Sequence, residues 1–196
     1  NGDGECEQNG AQRARDENGG VPLRKKQRAA QELFHQRAEN EAQHHRRRLA
    51  AKAHQDAIRL TQLLQTEIRR ELLQVIELPD RVRIRVGLDQ LFSPGSTGIN
   101  EGFEPVAAKM ARALEATEGR ILVSGYTDDL PIFTSKYPSN WHLSLARANA
   151  MADALASGAD LRGRLWPEGH GDANPIAPND SAANRALNRR VEIDLL

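Results

Sequence analysis

The chain has 196 residues, 39% of them hydrophobic and 28% charged, enough for one domain of ordinary size with a modest core and a solvated extension. Its 27 basic and 27 acidic residues cancel, so no global field favours nucleic acid or an anionic membrane surface. Cys6 is the only cysteine, which excludes an internal disulfide and a cysteine zinc cluster, and no apolar run approaches the ~20 residues that span a bilayer.

Residues 1–23 are rich in Gly, Asn and acid, with almost nothing to bury, and are expected to be disordered. From Arg24 to Val75 there is neither Pro nor Gly, and Ala, Gln, Glu, Arg and Leu dominate, which predicts one long helix acting as a spacer. Residues 24–78 are thus assigned to a helical linker and 79–196 to a folded domain. The stretch 24–52 is basic, with nine Lys or Arg against Glu32, Glu39 and Glu41. Only Phe34 interrupts it as an aromatic, so a solvated helix face is the better reading than a nucleic-acid contact. Ala53, Ala57, Leu60, Leu64, Ile68, Leu72 and Val75 form an apolar stripe at about 3.67 residues per turn, nearer a straight helix than a heptad coil. Two readings stay open for it: a dimer seam, or packing on the domain's own sheet.

"RVRIRV" (81–86) alternates Val and Ile with Arg, as a strand with one wet face does. "LFSPGSTG" is a turn-rich loop. Val106, Met110 and Leu114 share one face of a helix over 102–118, and "RILVSG" (120–125) is a short apolar strand. A second helix begins near Ser139 or Asn140, both good N-cap residues, and runs to about Ala156, with Gly158 as its stop. "RLWPEGHG" is a strand interrupted by Pro167, and "RRVEIDLL" closes the chain with another alternation. The predicted fold is α+β: a βαβαββ sandwich of two main helices on a small mixed sheet, preceded by a long helix.

On the second helix Asn140, Leu143 and Arg147 are spaced i, i+3 and i+7 and lie on one face. Asp128 sits just beyond the preceding strand, where a loop can fold over that helix. A carboxylate, a guanidinium, an amide and an apolar wall in one pocket suit a zwitterion, its ammonium on Asp128 and its carboxylate in the fork of Arg147. Each charge-assisted hydrogen bond would contribute about 1.5–3 kcal/mol. An ordinary ion pair between loop and helix is the alternative that residue types alone leave open. Catalysis finds no support: His142 and Ser144 are two apart and do not face each other, Asp128 and Asp129 are merely adjacent, and His142 and His170 lack metal-ligand spacing. No cofactor, metal or catalytic residue is assigned.

The segments "VSGYTDDLPI", "YPSNWHLSLARANAMADAL" and "EGHGDANPIAPNDSAANRALNRRVEI" resemble, in order and spacing, the OmpA/MotB-type peptidoglycan-binding domain. The resemblance covers about residues 80–196. It implies the OmpA-like fold and a non-enzymatic role, with Asp128 and Arg147 gripping the meso-diaminopimelate of the peptide stem. Asn140, Leu143 and Thr127 match the motif residues that would shape the pocket, while Arg185, Asn188, Arg189 and Arg190 match a terminal motif read as structural. Two positions depart from the family pattern. Tyr126 replaces the usual His and is expected to alter packing beside the pocket, and Asp129 replaces a common Asn and adds negative charge.

The "LPIFTSKYPSNW" insertion and the long helix look like those of flagellar stator B subunits of the MotB and PomB kind, with the wall-binding extension of a type VI secretion membrane protein as the alternative. The implied partners are peptidoglycan, channel or secretion-complex membrane subunits and a second copy of the chain as a homodimer, with no nucleic acid. The implied place is the periplasm, with the membrane anchor outside this chain. A partner-binding scaffold without wall affinity is the reading from a different class.

Overall fold

The computed structural model describes residues 23–92 and 96–196. Helix α1 runs Leu23–Leu63 and is followed by the short α2, Gln65–Arg69. Strands β1 (Gln74–Leu78) and β2 (Arg81–Gly87) lead into α3 (Leu88–Leu91) and α4 (Glu104–Glu115). Then come β3 (Ile121–Tyr126), α5 (Asn140–Gly158), β4 (Leu165–Gly169), α6 (Ala182–Asn188) and β5 (Arg190–Leu195). Of residues 1–23, expected to be disordered, Leu23 opens α1 and 1–22 lie outside the described residues, as does the middle of the "LFSPGSTG" loop (93–95).

The five strands form one mixed sheet in the order β1-β2-β5-β3-β4. Every neighbouring pair is antiparallel except β3 and β4, which are parallel and joined by the α5 crossover. Proline removes a ladder donor, and Pro167 is tolerated because β4 is an edge strand.

Two predicted boundaries move. The helix expected over 24–75 ends at Leu63, and β1 lies inside the stretch assigned to the linker. The reason is a hairpin: Pro79 and Asp80 form a two-residue turn that pairs Leu78 with Arg81 and carries Val75 opposite Ile84. Helical periodicity runs on through Leu72 and Val75, but the β-branched run on the far side of Pro79 captures the segment. The turn out of the helical stretch places Glu71 at φ 56°, a left-handed conformation uncommon outside glycine.

The apolar stripe packs on the domain's own core. Ala53, Ala57, Leu60 and Leu64 are buried there, and Ile68, Leu72 and Val75 pack against it half-buried. Side-chain bonds hold the same segment in place, Lys52 Nζ donating to the Glu118 carbonyl and Arg59 Nη1 to that of Ala116. The remaining core comes from the inward residues of the strands (Val82, Ile84, Val86; Ile121, Val123; Val191, Ile193, Leu195) and from Val106, Met110, Leu114, Met151 and Leu155 of α4 and α5. Burying each large apolar side chain contributes about 1.5–3 kcal/mol.

The other face of the sheet carries a ladder of charge. Arg83 donates to both oxygens of Asp194 at 2.7 Å, and Arg85 and Arg190 both bond Glu192 Oε1. The Arg83 guanidinium lies 2.7 Å from Glu192 Oε2. Glu192, Asp194 and Arg190, joined by these cross-strand pairs, are almost completely buried. Tyr126 belongs to this face: it stands opposite Arg190 in register, the Arg190 guanidinium lies 3.8 Å over its ring, and His170 stacks on it at 4.9 Å.

Helix α5 rests on the opposite side of β3 and β4, at a pair of glycines that face each other in register, Gly125 and Gly169. A Cβ on Gly125 would drive into the Ser144 carbonyl, and one on Gly169 would come within 2.7 Å of Leu145. The missing side chains let the first turns of the helix sit directly on strand backbone. That seat fixes where Arg147 stands.

Candidate functional site: a buried, unpaired arginine beside a shared carboxylate

Asn140 opens α5, but its side chain is not a cap. It donates to the carbonyls of Asp128 (3.3 Å) and Leu130 (3.1 Å) and accepts from the Ile132 amide at 3.1 Å, stitching the loop after β3 onto the helix. Thr127 is buried; its amide donates to the Gly171 carbonyl and its hydroxyl to that of Asp128. Ser144, wholly buried, accepts from the Gly171 amide at 2.9 Å. The loop end, the helix start and the segment around Gly171 are therefore one hydrogen-bonded unit. Leu143, read as an apolar wall, is buried and lies outside the main core cluster.

Within that frame Arg147 is 92% buried, its residue being 8% exposed, and no described residue hydrogen-bonds its guanidinium; its Nε is buried without a partner. The group lies 5.5 Å over the Phe92 ring. Burial pushes its pKa below the ordinary arginine value, the Arg189 charge pushes the same way, and Tyr137, Asp128 and Asp89 offset only part of this. Arginine remains protonated regardless, so the site holds a fixed, poorly compensated positive charge. Leaving a buried polar group unmet costs about 1–3 kcal/mol, more for a charged one, and an anion reaching Arg147 would offset that cost.

Asp128 is also buried, and its partners differ from those the sequence suggests. One carboxylate oxygen accepts from the Leu130 amide at 3.2 Å and the other from Arg189 Nη1 at 2.9 Å. Its charge acts on Arg147, but the two form no direct ion pair. The loop-to-helix ion pair left open by the residue types is thus replaced by a bond from the β5 entry. Arg189 in turn reaches the exposed carboxylate of Asp89 with Nη2, at 3.3 Å to each oxygen.

The sequence reading had Arg189 tie strand and loops together, and this residue joins the β5 entry to Asp128 and Asp89; Asp89, Phe92 and Tyr137 were not singled out. The terminal arginine-rich motif was a usable signal for Arg189. Nothing local singled out Asp89. The structural reading of the rest of that motif fits the geometry. Asn188 is fully buried and bonds the backbone of Ile176 and Ala177, Arg185 bonds the Asn179 carbonyl, and Arg190 bonds those of Asn188 and Asn174. Tyr126 requires a correction: it lies on the charge-ladder face of the sheet, away from α5, and does not line the Arg147 site. Asp129 is exposed. Among the described residues no group of three or more His, Cys, Asp or Glu is placed to hold a metal, and no helix is long and apolar enough to cross a membrane.

The OmpA family model matches residues 91–189 of the chain. Motility protein B of Bacillus subtilis is 36% identical over 107 residues, which is 54% of this chain and 41% of that protein. Motility protein B of Helicobacter pylori is 32% identical over 100 residues, 50% of this chain and 39% of that one. The chain spans about four-tenths of the length of these relatives. Among solved structures, the cell wall anchor of the T6SS from Pseudomonas aeruginosa shares 39% identity at a TM-score of 0.66, covering 70% of this chain and 96% of its own. A MotB like protein from Desulfovibrio vulgaris aligns at 26% identity and a TM-score of 0.70, over 76% and 97% of the two chains. The periplasmic domain of Helicobacter pylori MotB aligns at 28% and 0.57, over 62% and 77%.

Proposed function

The chain belongs to the OmpA family, and on that premise we propose that it binds peptidoglycan without catalysis, through the diaminopimelate of the peptide stem, and so ties a membrane machine to the cell wall from the periplasm. The observation that carries this reading is Arg147: a buried side chain with no hydrogen-bond partner among the described residues, near a carboxylate, on a helix packed closely against strand backbone. The free end of a diaminopimelate side chain is an amino acid, with ammonium and carboxylate on one carbon. Its carboxylate would complete Arg147 in a bidentate fork, and its ammonium would lie toward Asp128. Leu143 supplies an apolar wall, and Thr127 and Asn140 hold the loop that carries Asp128. Chemistry on the wall would need an activated nucleophile, a metal or two carboxylates flanking a bond, and the residues around Arg147 supply none of these.

Two machines fit such an anchor. Identity favours a secretion-system membrane complex, since 39% extends over nearly the whole of the T6SS anchor. The motility proteins supply the second reading, a flagellar stator, on 36% identity over the B. subtilis match. In either, a homodimer of linked domains on one polymer would gain avidity through effective concentration, so single-site affinity need not be high.

The test is co-sedimentation with intact sacculi containing diaminopimelate, competed with free meso-diaminopimelate. Wild type should pellet and be released by the competitor, and folded Arg147→Ala and Asp128→Ala should stay in solution. A wild type that stays in solution, or an Arg147→Ala that pellets equally, removes the proposal. Co-purification of secretion-complex or channel subunits with the full-length protein then separates the two machines.

A further inference from the structure

Asp128 cannot receive an ammonium as a full negative charge while Arg189 neutralises it. Four charges meet at this site, Arg147 and Arg189 against Asp128 and Asp89, and each of the other three acts on Arg147. Arg147 has no hydrogen bond among the described residues, and the remaining three form a chain, Asp128 to Arg189 to Asp89, with a net charge of minus one. The site as a whole therefore presents one free positive and one shared negative charge. That matches an amino-acid zwitterion, whereas a pocket holding Arg147 and a closed Asp128–Arg189 pair would match a simple carboxylate.

We infer that Asp89 is a specificity-determining residue: by drawing on the Arg189 guanidinium it keeps negative charge available at Asp128, so that the site takes an ammonium together with a carboxylate. This rests on the wall-binding reading above and deepens it. Asp89 is held in place by backbone rather than by its side chain. The Leu88 amide donates to the Arg189 carbonyl at 3.0 Å, and Gly87 pairs in register with Arg190, so the start of α3 and the entry to β5 are locked together. The two halves of the shared pair are unequal. Arg189 sits at 2.9 Å from Asp128 but at 3.3 Å from each oxygen of Asp89, whose side chain is 70% exposed. A ligand ammonium arriving at Asp128 gives Arg189 somewhere to go, since the second carboxylate is already within reach. Without Asp89 that exchange would leave the guanidinium unpaired.

The experiment compares two ligands of the same carbon skeleton, meso-diaminopimelate and pimelate, which lacks both ammonium groups, by titration of the purified chain. Asp89→Asn preserves size and, at an exposed position, should preserve the melting temperature. It is expected to weaken meso-diaminopimelate by about tenfold, the order of one charge-assisted hydrogen bond, and to leave pimelate within about twofold. In an Arg189→Gln background Asp128 has no competitor, and adding Asp89→Asn should then change nothing. Asp89→Asn binding meso-diaminopimelate as wild type does, or losing both ligands equally, overturns the role of Asp89 alone, provided wild type binds in an Arg147-dependent way. Wild type binding neither ligand overturns the wall-binding reading and this inference with it.

Discussion

Two arginines are buried among the described residues, on opposite sides of the same sheet, and they are treated in opposite ways. Arg190 is 2% exposed and fully engaged: Nε on Glu192, Nη1 on the Asn188 carbonyl, Nη2 on that of Asn174, and the Tyr126 ring against its plane. Arg147 is nearly as buried and has no described hydrogen-bond partner. Satisfying every donor makes a buried guanidinium part of the scaffold. Leaving the Arg147 Nε buried and unmet carries a standing cost, which an arriving anion would recover under the proposed function. Equal burial therefore hides different bonding, and the proposed function rests on that difference.

The largest effect expected from this contrast is at Arg190. Arg190→Ala should cost about 3–5 kcal/mol in chemical denaturation, because it leaves Glu192 buried with fewer partners and strips the cover from Tyr126. A loss below about 1 kcal/mol would break the comparison from the scaffold side. At Arg147 the signs reverse. Arg147→Met, unbranched and of similar reach, should abolish sacculus binding while raising stability by about 1 kcal/mol, since it removes a desolvated and unpaired charge. A destabilised Arg147→Met would mean that the guanidinium has an internal partner in solution.

Acid sharpens the same distinction. Burial pushes the Glu192 carboxyl up, but its hydrogen bond from Arg190 and the charges of Arg190 and Arg83 outweigh that and hold it below its ordinary 4.5. A depressed folded-state pKa contributes stability that is present above the unfolded value and is lost as pH falls through the folded one. Melting temperature should therefore drop as the pH is taken below about 4.5, and Glu192→Gln should flatten that profile; parallel wild-type and variant profiles would exclude the ladder as an acid-sensitive element. The smallest effect is at the loop. Asn140→Ala removes three hydrogen bonds to the Asp128–Ile132 backbone and should cost about 1 kcal/mol. It should also speed hydrogen exchange at the Ile132 amide, and unchanged exchange would show that the loop is held otherwise.

Local periodicity made much of this fold legible. The alternation in "RVRIRV" and "RRVEIDLL" encodes both the core face and the charge ladder, because arginines on one strand and acids on its neighbour occupy the same side in register. The 3.6-residue stripe also named the right core residues from Ala53 to Leu64. It failed only where a hairpin partner beyond Pro79 claimed the next segment, a non-local pairing that helical spacing cannot register. The site divides in the same way. Asp128, Asn140 and Arg147 lie within twenty residues and were singled out together. Asp89 and Arg189 come from segments 100 residues apart and meet only because β2 and β5 are neighbours.

The glycine pair under α5 has a mechanical meaning. If the chain anchors as proposed, tension applied at Arg147 would pass along the first turns of α5 into β3 and β4 through the close contacts at Gly125 and Gly169. From there it would spread sideways across the antiparallel ladder into β5 and β2, loading many hydrogen bonds together rather than peeling them one at a time. A single methyl group at position 125 or 169 would insert a compliant joint into that load path while leaving Asp128 and Arg147 themselves unchanged.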